Sequence, residues 1–324
     1  MQGERCPICA AALAPWESHA PDAVTGETFA ILRCTGCGLG VTRPVPADLG
    51  RYYGPMYYGR RHGVTARYRC WRRFRLLSRH TPRPGRLLDV GCGEGDFMAF
   101  AAERGWQAAG TEVRDDVPDA EAHGLAVRRS IAEARELGPF DAITSWHSFE
   151  HFVDPVAEFD RLIAALADGG TLAIITPDFG GLQAKVFGRA WFHLDVPRHL
   201  FHFTRRALVH LFESRGLVVE RIDSHEIEYD LFGWLQSLLN VLLPTQNQFF
   251  SWLTGKPHRA PSWEIALAVL LAVLFTPLAL VATAVAIATR RGATVNVVAR
   301  KPRTSTPTSA ERDVRTSATD AEGR

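Results

Sequence analysis

Between residues 86 and 223 the chain alternates short apolar runs with stretches of helical periodicity. The runs are RLLDVG, WQAAGTE, LAVRRS, FDAITSW, GGTLAIIT and LVVERID. Strands separated by helix-length segments predict a mostly parallel sheet covered by helices. Asp154 followed by Pro155 predicts a helix start over VAEFDRLIAALA, and Gly169 with Gly170 predicts its stop. Helical spacing also covers residues 63–79, and ATVNVVAR reads as one last strand.

Just before that strand lies a run of a different kind. Residues 265–289, IALAVLLAVLFTPLALVATAVAIAT, carry no charge between Glu264 and the pair Arg290-Arg291. About 20 apolar residues suffice to cross a bilayer. Pro277, in the middle, predicts two half-helices, 265–276 and 278–289, folded as a hairpin that dips into the membrane and returns. Residues 231–253 predict an interfacial amphipathic helix with a break at Pro244. Alternatively the two segments pair as two crossings.

These patterns divide the chain into a cysteine-marked module at 1–45, a basic aromatic linker and helix at 46–84, and an α/β core at 85–228. An apolar helical, membrane-associated insert follows at 229–291, then the last core strand at 292–302 and a disordered tail at 303–324. Composition changes this picture little: 37 Lys and Arg against 35 Asp and Glu, net +2, argue against a nucleic-acid partner. The average conceals a local bias, with eleven arginines and no acid from Arg51 to Arg86. In VTARYRCWRRFRLL, Val64, Tyr68, Trp71 and Phe74 recur at helical spacing, which predicts an aromatic stripe packed inward and cations turned to anionic headgroups or an anionic acceptor. The opening residues MQGERCPICA contain no apolar signal region, so a cytoplasmic location is expected, with binding to the cytosolic membrane face through residues 231–290.

Two CxxC pairs, Cys6/Cys9 and Cys34/Cys37, are separated by 24 residues, room for a hairpin between two metal knuckles. Four thiolates close a tetrahedral shell, so a structural Zn2+ is expected. Cys70 and Cys92 stand apart from them and read as ordinary buried cysteines.

LLDVGCGEGDF, residues 87–97, runs a strand into a turn with glycines at 91, 93 and 95. Glycines there let the backbone approach a nucleotide-like ligand. Position 96 is Asp, so the third glycine of a dinucleotide fingerprint is missing. Glu112, at the end of the next apolar run, is placed to accept ribose hydroxyls. In these residues, in FDAITSWHSFEHFVDP with its Glu150-His151 and Asp154-Pro155 pairs, and in LADGGTLAIITPD, the chain resembles the class I S-adenosylmethionine-dependent methyltransferases of the quinone and sugar branch. The resemblance covers about 85–223 and implies a Rossmann-like seven-stranded sheet with the apolar helical hairpin inserted before its last strand. It implies that Asp89, Gly91, Cys92, Gly93 and Gly95 hold the methionine end of S-adenosyl-L-methionine. Glu112 and Val113 would hold its ribose, with Ser130 and Ile131 near the adenine and Trp146 and His147 bordering cofactor and substrate. Because the sixth and last strands of that sheet lie on one side, an insert between them crosses an even number of times, re-enters or lies on the surface.

WFHLDVPRHLFHFT brings His193, Asp195, Arg198, His199 and His202 into the connection over the substrate. Histidine suits removal of a proton from a hydroxyl or activated carbon, and His151, His199 and His147 are the candidate bases. Arg198 suits a substrate phosphate or carboxylate, or a salt bridge to Asp195. The expected acceptor is a small molecule, a glycan or a lipid-linked sugar, since some sugar methyltransferases also join a four-cysteine zinc domain to this core. A zinc-ribbon RNA methyltransferase and a non-catalytic zinc and membrane adaptor are the alternatives. Near-neutral charge weighs against the first, and the intact glycine turn against the second.

Overall fold

A computed structural model of the chain describes residues 4–53, 64–114, 124–256 and 258–303. Part of the basic linker, 54–63, and the predicted tail from 304 lie outside the described residues.

The N-terminal module is a hairpin, β1 (Leu13–Pro21) and β2 (Thr28–Cys34), extended by β3 (Gly40–Arg43). Helix α1 (Val64–His80) leads into the core, where β4 (Arg86–Val90), α2 (Asp96–Ala102), β5 (Gln107–Thr111), β6 (Ala126–Arg128), α3 (Ile131–Ala134) and β7 (Phe140–Trp146) follow. Then come α4 (Pro155–Ala165), β8 (Leu166–Pro177), α5 (Leu182–Phe187), β9 (Phe201–His202), α6 (Arg205–Glu213) and β10 (Val218–Asp223). Helices α7 (Ile227–Leu242), α8 (Gln248–Leu253) and α9 (Ser262–Ala288) precede β11 (Thr294–Arg300).

Seven strands form one sheet in the order β10-β11-β8-β7-β4-β5-β6. β4 to β8 pair in parallel, whereas β11 runs antiparallel between β8 and β10. Central strands are apolar on both faces, with Leu87, Leu88, Ile143, Ile174 and Val297 fully buried, because helices cover both sides. Strand order reverses around β4, so the chain leaves the carboxyl ends of β4 and β7 in opposite directions and a crevice opens between them. Asp154 caps α4 through Ala157 N, as expected, but α4 ends at Ala165, before the glycine pair, and Gly169 and Gly170 lie within β8.

The cysteine module is joined to the core. β9 pairs with β3, making a four-stranded sheet β1-β2-β3-β9. Arg198 is buried and bonds both Asp195 in its own loop and Asp22 beside the hairpin turn. Of its two predicted roles it therefore takes the ion pair, and no substrate anion is needed to explain it.

Three expectations change. The apolar run is one continuous helix, α9, and not two halves broken at Pro277. Ala268 and Ala272 on one side of the proline and Ala279 on the other are buried, so packing holds the helix across the missing hydrogen bond, while Pro277 itself faces outward. The hairpin is made instead by α7 and α9, with Leu239, Ala268 and Ala272 in its core. Second, α7 is not amphipathic in the expected sense. Its polar residues Gln236, Ser237 and Asn240 are buried and bond Phe250 N, Phe192 N and Ala190 O. Third, the α1 aromatics divide: Phe74 packs inward against Phe100 beside the buried Cys70 and Leu77, but Tyr68 and Trp71 are exposed, and Arg72 and Arg73 turn toward the core.

Candidate active site

The glycine turn follows β4. Gly91, Gly93 and Gly95 all have positive φ, at 70°, 58° and 88°. A Cβ on Gly91 would lie 2.4 Å from Ser148 Cβ, so the turn can press against the segment after β7 only because glycine stands there. A Cβ on Gly93 would meet nothing within 4 Å. The turn thus cradles open space at Gly93. Glu112 borders it, with Oε2 accepting from Gly93 N at 3.0 Å and Oε1 from Val113 N and Arg114 N. Side-chain-free backbone beside a fixed carboxylate fits the methionine-to-ribose part of a sulfonium nucleoside.

The other predicted cofactor residues are less directly presented. Asp89 is buried, accepts from Thr144 Oγ1 at 2.7 Å, and is pushed up to about 7 by burial. The Cys92 thiol packs against Gly110. Ser130 Oγ caps α3, and Ile131 is buried in the core, so the backbone is what these two residues can offer an adenine. Trp146 lies edge-on to Phe97, has the Arg73 guanidinium over its ring, and holds its Nε1 buried without a partner among the described residues.

His147 follows directly in the left-handed region, φ 56°, a conformation that costs a non-glycine residue about 1 kcal/mol or more. Its Nε2 meets Glu226 Oε2 at 2.5 Å, and its ring stacks on Tyr229 at 3.9 Å. Burial lowers the imidazole against the pull of Glu226 and keeps it neutral. Burial alone would raise Glu226, but His147, Arg72 and Arg73 together hold it well below the usual carboxylate range. A neutral His147 donating through Nε2 to an ionised Glu226 carries its lone pair on Nδ1, which has no hydrogen-bond partner among the described residues.

Nδ1 faces Glu150, 3.9 Å away. Both oxygens of this carboxyl are buried without partners among the described residues, and burial pushes it up to about 8, so it is protonated at neutral pH. Glu150 also lies 3.8 Å from His199 Nε2. Because His199 Nδ1 must donate to His193 O at 2.9 Å, its Nε2 is an acceptor, and burial holds it neutral. His151 Nδ1 lies 2.9 Å from the Tyr53 hydroxyl and 3.0 Å from Arg198 O. The ligand-capable atoms of Glu150, His151 and His199 lie within 4.8 Å of one another. Such a set can share a proton, and one carboxylate with two imidazoles is also a donor set that a divalent cation accepts. His193 and His202 stay outside it. Both are lowered by burial, to about 4 and about 3, and bond Tyr229 O and Thr42 Oγ1.

Residues 61–222, half of the 324-residue chain, match the family described as the methyltransferase domain. The chain belongs to this family. Its strand order is that of the Rossmann-like methyltransferase sheet, and the matched segment contains the glycine turn, Glu112 and the Glu150-His151 pair. A demethylmenaquinone methyltransferase of Thermus thermophilus is 35% identical over 144 residues, covering 39% of this chain and 63% of that one. A ubiquinone biosynthesis O-methyltransferase of Methylococcus capsulatus is 33% identical over 115 residues, covering 32% of this chain and 48% of that one. The chain thus spans less than two thirds of the length of these relatives. Among solved structures, phosphoethanolamine N-methyltransferase 2 of Haemonchus contortus with S-adenosyl-L-methionine aligns at TM-score 0.49 and 15% identity, over 82% of this chain and 62% of that one.

Sequence reasoning missed Glu226, Tyr229, Arg72 and Tyr53. Glu226 follows the sixth strand in HEIEYD, where three acids crowd together and no spacing marks Glu226 and Asp230 as the two that turn inward. Arg72 lay in a run of arginines that read as a cationic surface.

The four cysteines converge. Cys6 Sγ lies 3.6 Å from Cys37 Sγ and Cys9 Sγ 3.4 Å from Cys34 Sγ, all four within 4.8 Å and all free of disulfides. Those separations suit four thiolates around one tetrahedral ion at about 2.3 Å each.

Proposed function

We propose that the protein transfers the methyl group of S-adenosyl-L-methionine to a hydroxyl or activated carbon of a small-molecule, glycan or lipid-linked acceptor at a membrane face, with a structural Zn2+ in the cysteine cluster. The observation that carries this reading is the open cradle at Gly93 beside the Glu112 carboxylate. When bound, the sulfonium cofactor supplies an activated methyl. Glu112 grips its sugar diol, and Asp89 supports the turn from beneath. His147, aligned by Glu226 and Tyr229, accepts the acceptor's proton at Nδ1. The protonated Glu150 and neutral His199, with His151 beside them, form the polar wall that receives the acceptor.

The nature of the acceptor is supported by two features. A cleft of about 370 Å³ between hairpin and α5 is lined by Trp16, Phe179, Arg33, Lys185 and Arg189 together with Glu17, so its aromatic and net cationic wall, three cations against one acid, suits an anionic sugar. The relatives are named as methyltransferases of demethylmenaquinone and of ubiquinone biosynthesis, and α9 gives this chain a surface suited to lipid. Calorimetric titration with S-adenosylhomocysteine tests the core of the reading. Saturable binding, lost by about tenfold or more in Glu112→Ala, is expected; a folded, metal-loaded protein that takes up neither the cofactor nor its product would overturn it.

A further inference from the structure

Helix α9 is long and apolar enough to cross a membrane, with a mean hydropathy of 2.7 in its most apolar window and 22% of that window buried. Its 27 residues extend about 40 Å, more than the roughly 30 Å of a hydrocarbon core. Both of its ends, however, are fastened to the folded body. At the start, Glu264 accepts from Thr245 N and Oγ1, Gln248 accepts from Arg259 N and Ala260 N, and Arg259 reaches Val24 O in the N-terminal hairpin. At the end, Arg291 O accepts from Leu182 N, Arg290 O from Arg205, and Ala293 N donates to Asp230. Between these points α9 lies on α7, and α7 is bonded to the core through Gln183, Phe192 and Ala190. A bilayer placed around α9 would have to occupy the volume of the protein beneath it.

The outward side has its own pattern. Leu267, Leu270, Leu274, Leu278, Val281 and Val285 recur every three or four residues and are all exposed, while Ala268, Ala272, Ala279 and Ala286 face the protein. Trp263 and Trp252 are exposed at one end, where interfacial aromatics sit. Residues 231–291 carry one acid, Glu264, which is buried and bonded, against Lys256, Arg259, Arg290 and Arg291. An apolar stripe with cations at both ends is complementary to anionic headgroups around a hydrocarbon surface.

We propose that α9 is an in-plane membrane dock: it lies flat on an anionic bilayer through this stripe and does not span it. The inference rests on the membrane-face reading above and gives it a geometry, in which the body is held on one side with the α7–α9 layer against lipid.

The test uses the full chain. Wild-type protein should co-float with vesicles of phosphatidylcholine and phosphatidylglycerol, and less with phosphatidylcholine alone. Leu270→Lys/Leu274→Lys/Val281→Lys should lower co-flotation by more than about tenfold while leaving S-adenosylhomocysteine binding unchanged. In cells, Ser262→Cys and Thr289→Cys, at opposite ends of α9, should both react with a membrane-impermeant maleimide only after lysis. Labelling of either from outside intact spheroplasts would mean a span and overturn the proposal. So would wild-type protein that ignores vesicles, or a dimer in solution that the triple variant dissolves, which would assign the stripe to a second copy. Flotation with failed nucleoside binding would leave the dock standing and remove the proposed function instead.

Discussion

Glu226 fixes His147: a 2.5 Å contact to Nε2, from a carboxylate itself held by Arg72, leaves the lone pair on Nδ1, 3.9 Å from Glu150. Three chain segments far apart in sequence meet in that relay. If His147 is the base, Glu226→Gln should lower kcat by about 100-fold or more, as when an orienting carboxylate is lost from a catalytic histidine, while cofactor affinity stays within about twofold. Single-turnover methyl transfer alongside calorimetry checks the split.

The pH profile follows from the same relay. The base works only when neutral, and burial lowers His147 below the ordinary histidine value of 6.5. Activity should therefore rise with pH along a limb below 6.5 and be level by neutrality, as read from kcat/KM against pH.

Glu150 gives a prediction for stability. Its folded pKa is raised from 4.5 to about 8, so between those values the unfolded chain has lost a proton that the native chain keeps. Fewer protons on the unfolded state means that native stability falls as pH rises from 4.5 to 8. Glu150→Gln should remove that slope and raise the unfolding midpoint more at pH 8 than at pH 5. Urea denaturation at the two pH values measures it.

Arg198 is buried between Asp22 and Asp195. Arg198→Met strands two carboxylates and should destabilise the protein by about 3–5 kcal/mol. Arg198→Lys should recover part of this, since an ammonium cannot reproduce the forked contact. Thermal unfolding of the two variants separates charge from geometry.

For the cysteine cluster, the purified protein should hold one zinc per chain. Chelation or Cys34→Ser should release it and lower the melting temperature, and should also impair turnover, because Thr42 on β3 bonds His199 O and Leu200 O in the histidine loop. Metal analysis with calorimetric melting provides the check.

Much of this architecture could be read from the chain because its signals are local. Strand periodicity, the glycine turn and the CxxC knuckles each need only a few neighbouring residues, and each stands where the spacing put it. The relay could not be read that way. Glu226 and Arg72 act through partners 79 and 154 residues away, and nothing near them in sequence separates an inward acid or arginine from a solvated one. Pro277 misled for a related reason: a proline's local tendency to break a helix is overridden when alanines on either side pack against a neighbour. The polar face of α7 likewise seemed destined for water, because its bonding partners near residues 190 and 192 were not visible as neighbours.

The pairing of Phe201 and His202 with Val41 and Gly40 has a consequence for anyone cutting the chain. A fragment starting after Arg43 would present that short strand as a raw edge, with an aromatic side chain newly uncovered beside it. Such a fragment should be sticky and poorly soluble even with an untouched nucleoside fold, so trimming from the front would forfeit the catalyst along with the ribbon.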